Sequence, residues 1–302
     1  MSAAINRSVS LSSAVELLQH WLSSHLSPSQ WVWFQEQQTQ IAQGAPLRRF
    51  FAAFSAVPRF TGKATVEMPA HEQQQASVVC EGWEPQWWSL DQMGRTLLLL
   101  SLPHDNPATY GRSLDPLFTA ADVRELVALY QALPLLPYPE QHRARAAEGI
   151  RSNMTPVFNA IALHNPYPAR YFDEGAWNQL VLKAMFVGSP LHLIWGLDHR
   201  ANPTLAQMSI DYVHERWAAH RTITPEIWRL VGRFAGADLR ADLDRALHDA
   251  DPVQRSAAAI ACSQSPAAEI RSLLNHDPDL QRALQEGRLT WHHLTHDQHH
   301  VE

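Results

Sequence analysis

The sequence predicts an all-α fold, a helical bundle or α-solenoid-like stack, on three observations. A capping residue followed by proline recurs at Ser27-Pro28, Asn202-Pro203, Thr224-Pro225, Asp251-Pro252, Ser265-Pro266 and Asp277-Pro278. The short polar side chain accepts from an orphan N–H at a helix start, and proline fits the first helical position because its missing N–H had no partner there. Apolar residues also recur at helical spacing, and strand patterns are scarce.

Residues 1–135 read as the N-terminal helices of a single all-α domain spanning 1–302. Val15, Leu18 and Leu22 share one helical face. Ser27 with Gln30, Ser89 with Gln92, and Thr119 with Asp122 resemble capping boxes, in which side chain and backbone satisfy each other at the first turn. "ATVEM" and "ASVVC" (Ala64–Met68 and Ala76–Cys80) could pair as one small β-hairpin around "PAHEQQQ", a surface loop being the alternative. After Thr119, the residues Val123, Leu126, Val127, Tyr130 and Leu133 predict an amphipathic helix. Residues 136–236 read as a middle region that carries most of the distinctive strings of the chain, and residues 237–290 read as short stacked helices, a degenerate HEAT-like end. There "DPVQRSAAAIAC" supplies the small side chains that let helices approach closely. The histidine-rich tail, residues 291–302, reads as a frayed polar terminus, with weak metal binding as the alternative.

Composition narrows the function classes. Hydrophobic content of 45% and charged content of 18% fit a globular protein with an ample core. A formal charge of −6 with no basic block gives no footprint for nucleic acid. No apolar run approaches the ~20 residues of a membrane-spanning helix, and no signal peptide is read at the N-terminus. Cys80 and Cys262 are far apart in sequence and fit buried thiols of a reducing cytoplasm. Eleven tryptophans exceed ordinary packing needs and favour flat apolar surfaces in a core or pocket.

Candidate chemistry concentrates between residues 148 and 234. A helix from about Asp173 to Val187 places Trp177, Leu180, Val181 and Ala184 on one side and Leu182 and Phe186 on the other, which predicts burial nearly all round. Asn178, Gln179 and Lys183 interrupt it, and a buried ammonium needs a carboxylate, an anionic ligand or a route to solvent. A second helix runs from Asn202-Pro203 to about Arg221 and carries Asp211 and Glu215 one turn apart. Like charges at that spacing call for a cation, with Arg200, Arg216 and Lys183 as candidates for a packing network. A metal reading would recruit Asp211 and His214 with His192 or His199, but "HERWAAH" does not match HExxH. Phosphate-binding glycine loops, GxSxG elbows and paired CxxC motifs are missing. The segment "NPYPARYF" (Asn165–Phe172) reads as a rigid aromatic connection able to line a groove.

Longer strings carry a family resemblance. "AEGIRSNM", "NPYPARYFDEGAWNQLVLKAMFVGSPL", "GLDHRANP", "DYVHERWAAHRTITPEIWRLVGRF", "WSLDQMGRTLLLLSLP" and "ALYQALPLLPYPE" together resemble the EboA family of metabolite traffic proteins. The likeness is close over about Trp88 to Phe234. It implies a role in moving or maturing a secondary-metabolite intermediate, such as a pigment precursor bound for the cell envelope. The companions it implies include a membrane prenyltransferase-like protein and metal-dependent hydrolase-like or isomerase-like proteins. It supplies no catalytic residue.

The first reading is therefore a non-catalytic binding or traffic protein for a small amphipathic metabolite, without cofactor or metal. Asn153, Asn165, Asn178, Lys183, Arg200, Asp211, Glu215 and Arg216 would line or brace its site. A protein–protein scaffold of the same pathway is the alternative, and a metal-assisted or acid–base enzyme using Asp211, His214 and Glu215 is the third. The expected compartment is the cytoplasm, with peripheral contact at the inner membrane through partners.

Overall fold

The computed structural model describes residues 10–296. Among these every named element is helical; one isolated bridge, Thr65 to Ser89, is the sole β pairing. By backbone proximity the chain divides into two compact units, Met1–Ala176 and Trp177–Glu302.

The first unit begins with α1 (Leu11–His25), capped by Ser10, which buries Ala14, Leu18, Trp21 and Leu22. Helix α2 (Pro28–Ala42) opens with the expected Ser27–Gln30 capping box. Helix α3 (Leu47–Thr61) buries Phe50, Ala53, Phe54 and Val57 along one stripe. The hairpin expected near residues 64–80 is instead α4 (Ala70–Val79). Pro69 sets its entry, Glu72 suits the positive end of its dipole, and three glutamines favour helix over strand. The alternation in "ASVVC" was too short to outweigh them.

Helix α5 (Leu90–Leu100) opens with the expected Ser89–Gln92 capping box and forms the centre of the unit. It is buried from Met93 to Leu100 and packs on α1, α2, α3 and α7. Helices α6 (Pro107–Ala120) and α7 (Val123–Ala132) follow, α6 from an Asn106-Pro107 start. Thr119 does not cap α7, because its hydroxyl donates back to Asp115 O within α6. Asp122 caps it instead, paired with Glu125. The buried face of α7 is accordingly shifted: Glu125, Ala128, Leu129 and Tyr130 lie inside, whereas Val123 is exposed. Helices α8 (Arg143–Ile150), α9 (Thr155–Ala162) and α10 (Tyr167–Tyr171) complete the unit, with α9 packed on α7 and α8.

A charged cluster lies inside this helical core. Arg95 Nη1 donates to Asp91 Oδ2 at 2.7 Å, its Nε donates to Phe54 O at 3.2 Å, and Nη2 lies 4.0 Å from Glu125 Oε1. Ser89 donates to Asp91 and Ser55 to Glu125, both at 2.6 Å. Glu125 thus serves two roles, completing the α7 capping box through Asp122 N–H and turning its other oxygen toward the core. Every charge is met, as burial demands.

His142, after α7, is buried among Tyr110 and backbone, with Nε2 at 2.9 Å from Pro137 O. Burial pushes its pKa below the ordinary histidine value of 6.5, against the opposing hydrogen bond to Pro137 and the charge of Asp115. The unfolded chain therefore binds this proton more readily, and stability is lost as pH falls below the ordinary histidine range. His142→Gln is expected to flatten that loss, read as the urea midpoint at about pH 7.5 against about pH 5.

The boundary between the units falls within α11 (Glu174–Val187). The second unit continues through α12 (Pro203–Ala218) and α13 (Ile227–Val231) to α14 (Arg240–Leu247), α15 (Pro252–Gln264), α16 (Ala268–Arg271), α17 (Pro278–Gln285) and α18 (Trp291–His296). Helix α15 is its hub, contacted by α13, α14, α16, α17 and α18. Its small residues Ala257, Ala258, Ala259, Ala261 and Cys262 are all buried, which gives the alanine-rich face its packing role. Asn202, Asp251 and Asp277 cap as expected, but Thr224-Pro225 and Ser265-Pro266 lead only into turns, and the helices start at Ile227 and Ala268. The tail histidines beyond residue 296 and the first nine residues, on which the signal-peptide expectation partly rests, lie outside the described residues. Among those described, no helix is long and apolar enough to cross a membrane.

Candidate ligand-binding groove

The residues singled out from sequence do not converge on one site. Asn165 is buried and saturated: its amide donates to Tyr130 O and Ala160 O and accepts from Tyr167 N–H, tying α7, α9 and α10 together. Asn178 is buried on α11 and exchanges amide hydrogen bonds with Asn202, at 2.8 and 3.3 Å. Asn202 in turn caps α12 through Leu205 N–H. The polar interruption of α11 is therefore a brace for the next helix start.

Helix α11 is not buried all round, since Gln179, Phe186 and Val187 are exposed. Its buried face reaches Trp177 to Met185, and Phe186 instead meets the edge of Tyr212 from outside. Lys183 is half-buried, and desolvation lowers its pKa from the usual lysine value. Asn153 is exposed on the loop after α8.

The expected Asp211–Arg216–Glu215 network does not form. Asp211 is exposed and accepts from Gln207 at 2.9 Å, while Glu215 is exposed beside it. Arg216 donates twice to Thr222 O, closing the chain after α12, and Arg200 lies over the Trp177 ring at 5.1 Å. The solvated carboxylates repel too weakly to draw either arginine away from a carbonyl or an indole face. His214 pairs with Asp242 and His192 with Glu226, at 2.9 and 3.0 Å. Among the described residues no three His, Cys, Asp or Glu side chains group as metal ligands.

A concave surface lies elsewhere, on the first unit. Gln35, Gln38, Thr39 and Ala42 of α2 fall at i, i+3, i+4 and i+7, so they form one stripe. Facing them is Gln19 of α1, whose Nε2 donates to Gln38 Oε1 at 3.0 Å. With Gln43 these residues line a concavity of about 430 Å³. A second concavity, about 320 Å³, shares Gln38 and Ala42 and continues past Val15, Leu100, Leu102 and Pro103 to His104 and Asp105. Tyr138 steadies this far wall by donating from its hydroxyl to His104 O. One end of the groove thus offers amide donors and acceptors, and the other offers aliphatic carbon.

None of these groove residues was singled out from sequence as a site residue; Val15 was read only as part of the apolar face of α1. Their signal was present in "FQEQQTQIAQ", where neutral amides occupy a helical stripe that charged residues usually fill on a solvated face. The terminal aliphatics of α5 were legible only as core.

Fold and groove together define an all-α protein that carries an open concave surface with an amide-lined part and a more aliphatic part. The chain belongs to the EboA family: the model for metabolite traffic protein EboA matches residues 14–232, most of its length and the whole α1–α2–α5 groove. No curated protein and no solved structure matches the chain.

Proposed function

We propose that this protein is a non-catalytic carrier that holds a small amphipathic metabolite in the α1–α2–α5 groove. One observation carries the reading: two adjoining concavities share Gln38 and Ala42, one lined by amides and the other largely by aliphatic side chains. A ligand with a polar head and an apolar body would pair its hydroxyl or carbonyl groups with Gln19, Gln35 and Gln38. Its body would cover Val15 and Pro103. The metabolite traffic role of the family supports this. In the cell the carrier acts with companion proteins, among them a membrane prenyltransferase-like partner, in the handling or export of a secondary-metabolite intermediate.

A scaffold reading is favoured by the exposure of Phe186, at 58%, beside the exposed Val187. The solvent-reaching residues Asn153, Lys183, Arg200, Asp211, Glu215 and Arg216 are proposed as partner contacts, and Asn165 and Asn178 as internal braces. Small-molecule extract passed over the purified protein, followed by native mass spectrometry, tests the carrier reading. A stoichiometric bound species is expected. Repeated recovery of empty protein that still captures its companions would favour the scaffold.

A further inference from the structure

We infer that the groove selects an uncharged head group bearing several hydroxyls, of the kind a sugar carries, joined to a hydrocarbon body. This rests on the carrier reading above and adds the chemical class of the ligand. Among the described residues that line the two concavities, only His104 and Asp105 are ionisable, and both belong to the more aliphatic part. The amide part is lined by Gln19, Gln35, Gln38, Thr39, Ala42 and Gln43, and none of these side chains carries a charge. An ionic head seated there would give up water and meet no counter-charge.

Hydrogen-bonding capacity narrows the class further. The bond from Gln19 Nε2 to Gln38 Oε1 uses one amide hydrogen and one carbonyl lone pair. It leaves the Gln38 amino group to donate and the Gln19 carbonyl oxygen to accept. Thr39 gives its hydroxyl hydrogen to Gln35 O at 2.8 Å, so toward a ligand its oxygen accepts. Gln35 is exposed one turn earlier and offers both kinds of group. From Gln35 to Ala42 the stripe runs about 10 Å along α2, room for more than one polar group. A hydroxyl both donates and accepts, whereas a sulfate or carboxylate only accepts and an ammonium only donates. Several hydroxyls on one rigid ring therefore match this mixed row, at a low ordering cost.

Octyl glucoside, octyl sulfate and octyltrimethylammonium share one hydrocarbon chain and differ in the head, so they are the probes. Each is titrated into the full chain below micelle formation and followed by NMR at the side-chain amides of Gln19, Gln35 and Gln38. The glucoside is expected to shift these signals saturably and to bind roughly fivefold to tenfold more tightly than either ionic probe. Gln35→Leu, at an exposed position, and Gln38→Leu are each expected to weaken the glucoside by about threefold and to leave octyl sulfate unchanged. An ionic probe that binds as tightly as the glucoside would overturn the head-group class and leave the carrier reading standing. Glucoside affinity unchanged in both variants would do the same. Saturable binding of none of the three would overturn both.

Discussion

Replacing Arg95 by methionine is expected to remove about 3–5 kcal/mol from the stability of the first unit. The guanidinium is almost fully buried, as are Asp91 and the greater part of Glu125. Burial works against the charge of Arg95, while Asp91 and Glu125 hold it in place. Methionine fills a similar volume, so little cavity opens, but two carboxylates then face the core without their common cation. Arg124 reaches Asp91 only from outside, at 3.4 Å, and cannot replace it. The hydrogen bond to Phe54 O disappears as well, and with it the polar tie between α3 and α5. Chemical denaturation of the variant should show an earlier transition. Adding Asp91→Leu and Glu125→Leu to Arg95→Met should recover part of the loss, because an apolar trio has no charge to desolvate, while the lost α7 capping box and the unpaired Ser55 and Ser89 hydroxyls keep the recovery incomplete. A loss below about 1 kcal/mol for Arg95→Met would mean that water reaches the cluster.

The second large effect is expected in the other unit, at Gly232. A Cβ built there would lie 2.7 Å from Ala261 Cα and 2.8 Å from Ala261 O, both backbone atoms of the hub helix α15. Flexible side chains could yield, but a helix contacted by five others cannot shift without disturbing them all. Gly232→Ala should therefore cost about 3 kcal/mol, at the upper end of overpacking effects. Gly111→Ala is the control: its Cβ would meet nothing nearer than Gln141 Oε1 at 3.8 Å. In the α6 interior that change should be neutral or stabilise by about 0.5–1 kcal/mol. Thermal unfolding of the two variants compares them directly. Equal melting temperatures would contradict the close approach of Gly232 to α15.

Helix starts were largely legible because a cap is a local event. Ser27, Asn202, Asp251 and Asp277 needed only the proline that follows them to be read, and Ser89 only the glutamine three residues on. Thr119 failed because its hydroxyl had a competing acceptor one turn back, which no capping pattern reveals. The alternation of "ASVVC" misled because four of the residues before it are good helix formers, and propensity accumulated over the whole of α4 prevailed. Binding surfaces were less legible. A buried asparagine signals that some partner exists, but whether it is a ligand or another backbone depends on residues distant in sequence. Asn165 finds Tyr130 O across 35 residues, and Asn178 finds Asn202 across 24. The groove was hidden for the same reason, since its apolar part joins Val15 of α1 to residues at and just after the end of α5, and its amide part comes from α1 and α2.

The carrier reading rests on the continuity of that groove at Ala42, the exposed last residue of α2 that borders both concavities. Ala42→Trp would place an indole across the junction with little effect on stability, as surface substitutions generally do. Native mass spectrometry of this variant beside the unsubstituted protein, after the same exposure to small-molecule extract, is the direct measurement. The expected result is a bound species on the unsubstituted protein and its loss from the variant at an unchanged melting temperature. Equal loading of both proteins would contradict the groove as the metabolite's resting place.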